Sequence, residues 1–363
     1  NGLGILADTT NFVDSILISQ NASTGTLSSA SNNTGLGDSV FAALTSATLN
    51  TAIGRRALIS TTSGSSNTVV GADAMFTNTT GGSNVAIGLD ALFANTTGSN
   101  NTAVGTNSLD ANTTGTTNTA IGKDSLGANT TGAANTGLGH NALEVATTAD
   151  NNTAVGKNSL RANTTGHDNT AIGMDAGKAI TTGEENVIVG HKAGDALTDA
   201  DYNVAVGRSS LTSDTLGSKT TALGWGTLNT QNFTSATDSH NVAVGYNAMA
   251  LLTTGTDNVA VGSLALDTAT TASGCTIVGK GAGTAITTGG DNTGIGKQAL
   301  ENTTTGTSNT AVGKDALEAN TTASNNTAVG FKSMEDNTTG DLNVAIGGNT
   351  LKSNTVGDRA VAI

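Results

Sequence analysis

Few side chains in this sequence are spaced for chemistry. The histidines are His140, His167, His191 and His240. His140 and His191 hold equivalent places three repeats apart. At about 4.8 Å per stacked strand that separates them by roughly 14 Å, too far to share a metal ion. Asp315 and Glu318 have the residue types of an acid/base pair, but they fall in the variable outer part of the repeat and read as a solvated face. Gly279-x-Gly281-x-Gly283 looks like a phosphate cradle, yet its glycines are repeat positions and no phosphate-loop motif accompanies them. No Ser/His/Asp arrangement stands out. Cys275 is the only cysteine, so no disulfide framework exists. It stands where Asn usually stands and reads as a small buried substitute; a bond between identical chains is the alternative. The expectation is a protein without catalytic residues, cofactor or metal.

Binding chemistry has three candidates. Thr-Thr pairs recur at Thr113, Thr130, Thr164, Thr321 and Thr338. They read first as turn residues, and second as ranks of hydroxyls that would order water or ice or hold a glycan. Asn-x-Thr triplets, as at Asn112 and Asn163, match glycosylation acceptors but are repeat composition first. Trp225, Gln231, Asn232 and Phe233 form the one aromatic, irregular stretch, either a contact loop or a loop folded over its own repeat.

The element that must position all of these is a seventeen-residue unit, here Asn101-Thr-Ala-Val-Gly-Thr-Asn-Ser-Leu-Asp-Ala-Asn-Thr-Thr-Gly-Thr-Thr117. Unit starts run from Asn33 to Thr220 at an unbroken period of 17, and from Asn241 to Ala360 after a four-residue insertion within 225–240. A strict period means one small element stacked many times. The first position is Asn, as at Asn101, Asn118 and Asn152; the second is Thr or Val; the fourth is aliphatic, as at Val104; the fifth is Gly, as at Gly105, Gly122 and Gly156. β-Branched residues favour a pleated strand, so positions one to four read as a short strand with apolar or Thr side chains on both faces. The Asn column predicts a side-chain hydrogen-bond ladder, and the Gly column a close backbone approach.

The ninth position is usually a large apolar anchor, as at Leu109. In three units it is Gly (Gly177, Gly194, Gly283), and there the twelfth position becomes Ile180, Leu197 or Ile286. Groups three residues apart share a helix face, so positions seven to twelve predict about one helical turn whose anchor plugs onto the strand. Residues 1–32 do not fit the template and predict a cap or junction; residues 33–363 are a repeat shaft.

A net charge of −13 argues against nucleic acid and anionic lipid. No apolar run approaches a membrane span, so no membrane insertion is expected of this stretch. It opens at Asn1 without a signal pattern and stops at Ile363, one residue short of the next Gly, which suggests a fragment or processed product. One repeat offers about one Leu, one Val or Ile and an Ala against roughly 1–2 kcal/mol of backbone entropy per residue. With aromatics at 2%, a single-chain stack looks thin. Covering the strand's second face with neighbouring chains would complete a core; three chains about one axis, or two, satisfy this.

The reiterated run Asn152-Thr-Ala-Val-Gly…Ser159-Leu160…Asn163-Thr-Thr-Gly166 resembles the seventeen-residue repeats of phage and bacterial tail-fibre-domain proteins. The Asn-Val-Ala-Ile-Gly form at Asn84 and Asn343 is similar to the head repeat of trimeric autotransporter adhesins. The resemblance covers about residues 33–363. It implies a left-handed parallel β-roll, assembled as a homotrimer and used on surfaces. This stretch carries neither the C-terminal membrane anchor nor the cleaved C-terminal chaperone such families often have.

The sequence therefore predicts an all-β parallel solenoid of about twenty rungs with short helical turns, of the order of 95 Å long. Its expected role is an extracellular fibre shaft or adhesin, on a virion tail or a bacterial surface, carrying a tip for a glycan or protein receptor. A glycan- or ice-binding face, or an extracellular filament subunit, is the alternative.

Overall fold

A computed structural model describes residues 4–19 and 24–363. The chain divides into two compact units, Asn1–Thr182 and Gly183–Ile363. Each is a parallel β-solenoid. The first holds nine repeat strands, from Thr34–Leu36 to Thr170–Ile172; the second holds eleven, from Val187–Val189 to Val361–Ala362. The strands are the second to fourth positions of the repeat, and they pair in register: Thr102 with Thr119, Ala103 with Ala120, Val104 with Ile121. Register is locked by chemistry, because a slip of one residue would turn every Ala outward and every Val or Ile inward.

The third side chain points into the coil, and Ala103, Ala120, Ala154 and Ala311 are fully buried. The second and fourth point out. The fourth-position column stays wet in a single chain, at 39% exposed for Ile53 and 41% for Ile295. Each rung therefore has an interior of small groups and one outer face that is still apolar.

The fifth-position glycine meets two constraints. Gly105 sits at φ +140°, and an added Cβ would lie 2.6 Å from the carbonyl oxygen of Gly122 in the next rung. Either condition alone disfavours a side chain; the column has both.

The outer segment is not helical, and no helical residue occurs among the described residues. Asn107 and Leu109 lie at φ +54° and +51°, and the same seventh and ninth positions are left-handed from rung to rung. Left-handed residues at every second place prevent an α-helical winding. Hydrogen bonds run to the neighbouring rungs instead: Asn107 N to Leu89 O at 3.0 Å, Leu109 N to Ser125 O at 3.1 Å, Ala111 N to Gly127 O at 3.2 Å. A local bond, Asn112 N to Leu109 O at 3.2 Å, closes a turn. The three-residue spacing of anchor and substitute reflects this turn, which brings positions nine and twelve to the same side without a helix.

Both positions fill one socket. A Cβ on Gly177 would lie 3.0 Å from Ile180 Cδ1; on Gly194, 2.9 Å from Leu197 Cδ1; on Gly283, 3.0 Å from Ile286 Cδ1. Two of those rungs also enlarge the third position, to Ile188 and Ile277, whose methyls lie 3.1 and 3.3 Å from the missing Cβ. Volume moves among three places and the core stays filled. The unit at Asn241 holds both groups, with the unbranched Met249 in the ninth place beside Leu252.

At the start of the first unit, Gly4–Thr9 and Phe12–Ser19 form an antiparallel hairpin. The second strand then lies parallel to Thr34–Leu36, with Leu17 opposite Gly35. Phe12 and Leu17 are fully buried. Gly35 makes room, since a Cβ there would sit 2.8 Å from Leu17 Cδ1.

Gly177→Leu should overpack its rung, costing about 1–3 kcal/mol and lowering the melting temperature, whereas Gly177→Leu with Ile180→Ala should recover most of the loss. An unchanged midpoint in the single variant would show that the two positions do not share a socket.

Candidate functional site

The polar side chains of the repeat are mostly turned inward. In the first-position column the backbone N–H of Asn118 donates to Asn101 Oδ1 at 3.0 Å, and that of Asn135 to Asn118 Oδ1 at 2.9 Å. Within a rung, Asn101 Nδ2 donates to Gly115 O at 2.9 Å and Asn152 Nδ2 to Gly166 O at 2.9 Å. The amide thus ties strand to return turn while its oxygen holds the next rung. Asn101, Asn118 and Asn152 are at most 1% exposed.

A second buried Asn column lies at the twelfth position. Asn112 Nδ2 donates to Asn95 Oδ1 at 2.8 Å and Asn129 Nδ2 to Asn112 Oδ1 at 2.9 Å. The same amides reach the fifteenth-position carbonyls, Asn112 to Gly115 O at 3.1 Å and Asn129 to Gly132 O at 3.1 Å. Two Asn columns therefore converge on one row of carbonyls. The oxygens of Asn129 and Asn163 lack partners because the following rungs carry Ala146 and Ile180 there.

The insertion rung keeps the network with different parts. Thr220 replaces the first-position Asn, and Gln231 and Asp214 hold twelfth positions. Gln231 is fully buried; its Nε2 donates to Asp214 Oδ2 at 2.6 Å, and its Oε1 accepts from Asn241 Nδ2 at 2.9 Å. Phe233 is 6% exposed, with its N–H on Asp214 Oδ1 at 3.1 Å. Of the four residues proposed as a contact loop, Gln231 and Phe233 thus point inward and Asn232 is exposed. Trp225, 45% exposed, stacks on Tyr246 of the next rung with ring centroids 5.1 Å apart. That pairing follows from one-rung spacing at a shared sixth position. Cys275 is likewise fully buried, its Sγ 3.4 Å from Gly289 O, and burial pushes its thiol pKa up.

The Thr pairs divide. Thr113 Oγ1 donates to Thr130 O at 3.0 Å and Thr130 Oγ1 to Thr147 O at 3.0 Å, so the thirteenth-position hydroxyls are engaged with backbone. Thr164, Thr321 and Thr338 do the same with Thr181, Thr338 and Thr355. Only the fourteenth-position Thr, as at Thr114, is exposed.

The histidines are peripheral. His167 pairs with Asp168 at 2.8 Å and His240 with Asp257 at 3.6 Å, each on the surface. Asp315, Glu318 and Glu335 bring their carboxylates within 4.8 Å of one another. Lys314 lies 2.7 Å from Asp315, Lys352 lies 3.0 Å from Glu335, and Lys332 also pairs with Glu335. The Lys332 ammonium holds the Glu335 carboxyl below its ordinary value, while burial and then Asp315 push Glu318 above its own. This is a neutralised ion-pair cluster on the outer turn. What the repeat offers a partner is the strand's outer face and the columns beside it.

Asn118→Ala should leave the Asn135 N–H buried and unpaired and destabilise the first unit by roughly 1–3 kcal/mol, read as a lower thermal midpoint; Thr114→Ala, at an exposed place, should change nothing measurable. Equal midpoints for Asn118→Ala and the parent would mean the ladder contributes no stability. No protein-family model matches this chain, and no curated protein is significantly similar to it.

Proposed function

We propose that the chain is a segment of an extracellular structural fibre, assembled as a homotrimer of left-handed coils whose strand faces turn toward a common axis. It projects from, or carries, a receptor-binding tip for attachment to a cell surface, as a virion tail fibre or bacterial adhesin would. The observation that carries this reading is the outer strand face. Leu36, Ile53, Val70, Ile87, Ile121, Leu138 and Ile172 in the first unit, with Leu223, Val261, Ile295 and Ile346 in the second, stay 36–49% exposed. The β-branched Thr or Val of the second position lies beside each of them. Contiguous apolar columns of this extent mark an interface on a water-soluble protein.

The magnitudes favour association. Burying the remaining two-fifths of one such side chain is worth roughly 0.6–1.2 kcal/mol. Eleven contribute roughly 7–13 kcal/mol per chain before any second-position contact, comparable to the estimated 4–15 kcal/mol cost of association. The opposite columns of the repeat argue against an ice-ordering face, because the thirteenth-position hydroxyls are spent on carbonyls. No helix among the described residues is long and apolar enough to cross a membrane.

Sedimentation equilibrium should give three chains per particle for the parent protein. Val312→Asp, which places a carboxylate on the outer strand face, should dissociate it, because a charge between apolar layers is costly to desolvate. A parent protein that sediments as one chain, or a Val312→Asp variant that stays assembled, would overturn the proposal.

A further inference from the structure

We propose that a surface notch at Gly281 in the second unit binds an acidic sugar unit, a carboxylated pyranose of a surface glycan. The seventh position carries a side chain in the rungs on either side, Leu264 and Gln298. Gly281 omits it, which opens a recess of about 280 Å³ floored by its backbone. The size is near the lower end of small-ligand sites. Leu264 and Gln298 form two walls, and the sixth-position Lys280 and Lys297 flank the opening.

The charges are specific. Lys280 and Lys297 are exposed and stand one rung apart, about 4.8 Å along the stack. The next lysine of the column, Lys314, is paired with Asp315 at 2.7 Å, and Lys332 and Lys352 are paired with Glu335. No carboxylate of the described residues lies within ion-pair distance of Lys280 or Lys297, although the chain carries 28 acids against 15 bases. Two like charges at one-rung spacing repel. A ligand carboxylate between them supplies the missing counter-charge and accepts a charge-assisted hydrogen bond from each.

The remaining lining selects a sugar over a bare polyanion. Thr284 Oγ1 donates to Gly281 O at 2.7 Å, which turns its lone pairs toward other donors. Gln298 Nε2 donates to Glu301 Oε2 at 2.8 Å, which orients that carboxylate and leaves its second oxygen and the Gln298 carbonyl oxygen as acceptors. Acceptors of this kind want hydroxyl donors. A phosphate chain has none and would be repelled by Glu301. Leu264 offers an apolar surface for the C–H face of a ring. An acid group at one end and hydroxyls around an apolar face describe a uronic or sialic acid.

The site is complete within one chain, so it goes beyond the fibre reading and does not depend on trimer formation. The test uses the full chain, titrated with trigalacturonate, N-acetylneuraminic acid, maltotriose and a short single-stranded DNA, by calorimetry at low salt. Sedimentation of the same samples reports assembly separately. At least one acidic sugar should bind, and maltotriose and DNA should not. Lys280→Ala with Lys297→Ala should weaken that binding by about tenfold or more, the loss of a charge-assisted contact. Gly281→Gln should do the same by filling the recess. It should fold normally, because a Cβ there meets no atom nearer than 3.8 Å and Gln298 itself stands at φ +59° in the equivalent place. Failure of both acidic sugars to bind, unchanged binding in either variant, or equal binding of DNA or maltotriose would overturn the proposal.

Discussion

Backbone stacking at one-rung spacing is the constraint on which everything else rests. Every rung must present the same outline to the next, so each column can hold only what repeats at that distance. Glycine fills the fifth column because the neighbouring carbonyl occupies the space of a Cβ. Asparagine fills the first because one amide can donate across its own rung while its oxygen accepts the N–H of the rung above. Aromatic residues, where they occur, pair face to face at the same spacing, as Phe76 does with Phe93 and Trp225 with Tyr246. Even the outer turn obeys, since its left-handed residues send N–H groups to neighbouring rungs rather than into a helix.

The consequence is an unusual distribution of polarity. Buried amides, carbonyls and small side chains share the interior with one large anchor per rung. Such a network holds only while it is satisfied, because a buried unpaired group costs more than a made bond gains. The rungs at Ala146 and Ile180 show the limit, each leaving one Asn oxygen of the previous rung without a donor. Apolar surface that a compact domain would bury is instead displayed on the outer strand face. In the proposed assembly, fold and association are two halves of one burial problem: hydrogen bonds order each coil, and further copies cover the outer columns.

Much of this was readable in the residues. The period, the parallel strands, the two apolar strand faces and the exchange of anchor between Leu at nine and Ile at twelve all follow from spacing and side-chain volume. Other features were not. The exchange at three-residue spacing reads as a helical turn, but a tight turn with left-handed residues produces the same spacing; the Asn and Asp common at the seventh place tolerate positive φ, whereas nothing in Leu109 marks it. The sequence singles out the first-position Asn for a ladder and not the twelfth, where the stacked geometry shows a second one. At the insertion, Gln231 and Phe233 read either as contacts or as a loop folded over its own repeat; the reach of Gln231 toward Asp214 and Asn241 decides for the second. The recess at Gly281 was legible only as a repeat glycine, since a notch exists by comparison with its neighbours Leu264 and Gln298.

The claim that the outer strand face is covered by further copies is tested most directly by its solvent access in the assembled protein. Nitroxide labels at Val312, on that face, and at Glu318, on the outer turn, can be compared by relaxation with a water-soluble paramagnet after Cys275→Ser. The account predicts a shielded label at 312 and an accessible one at 318. Equal access at the two sites would contradict it.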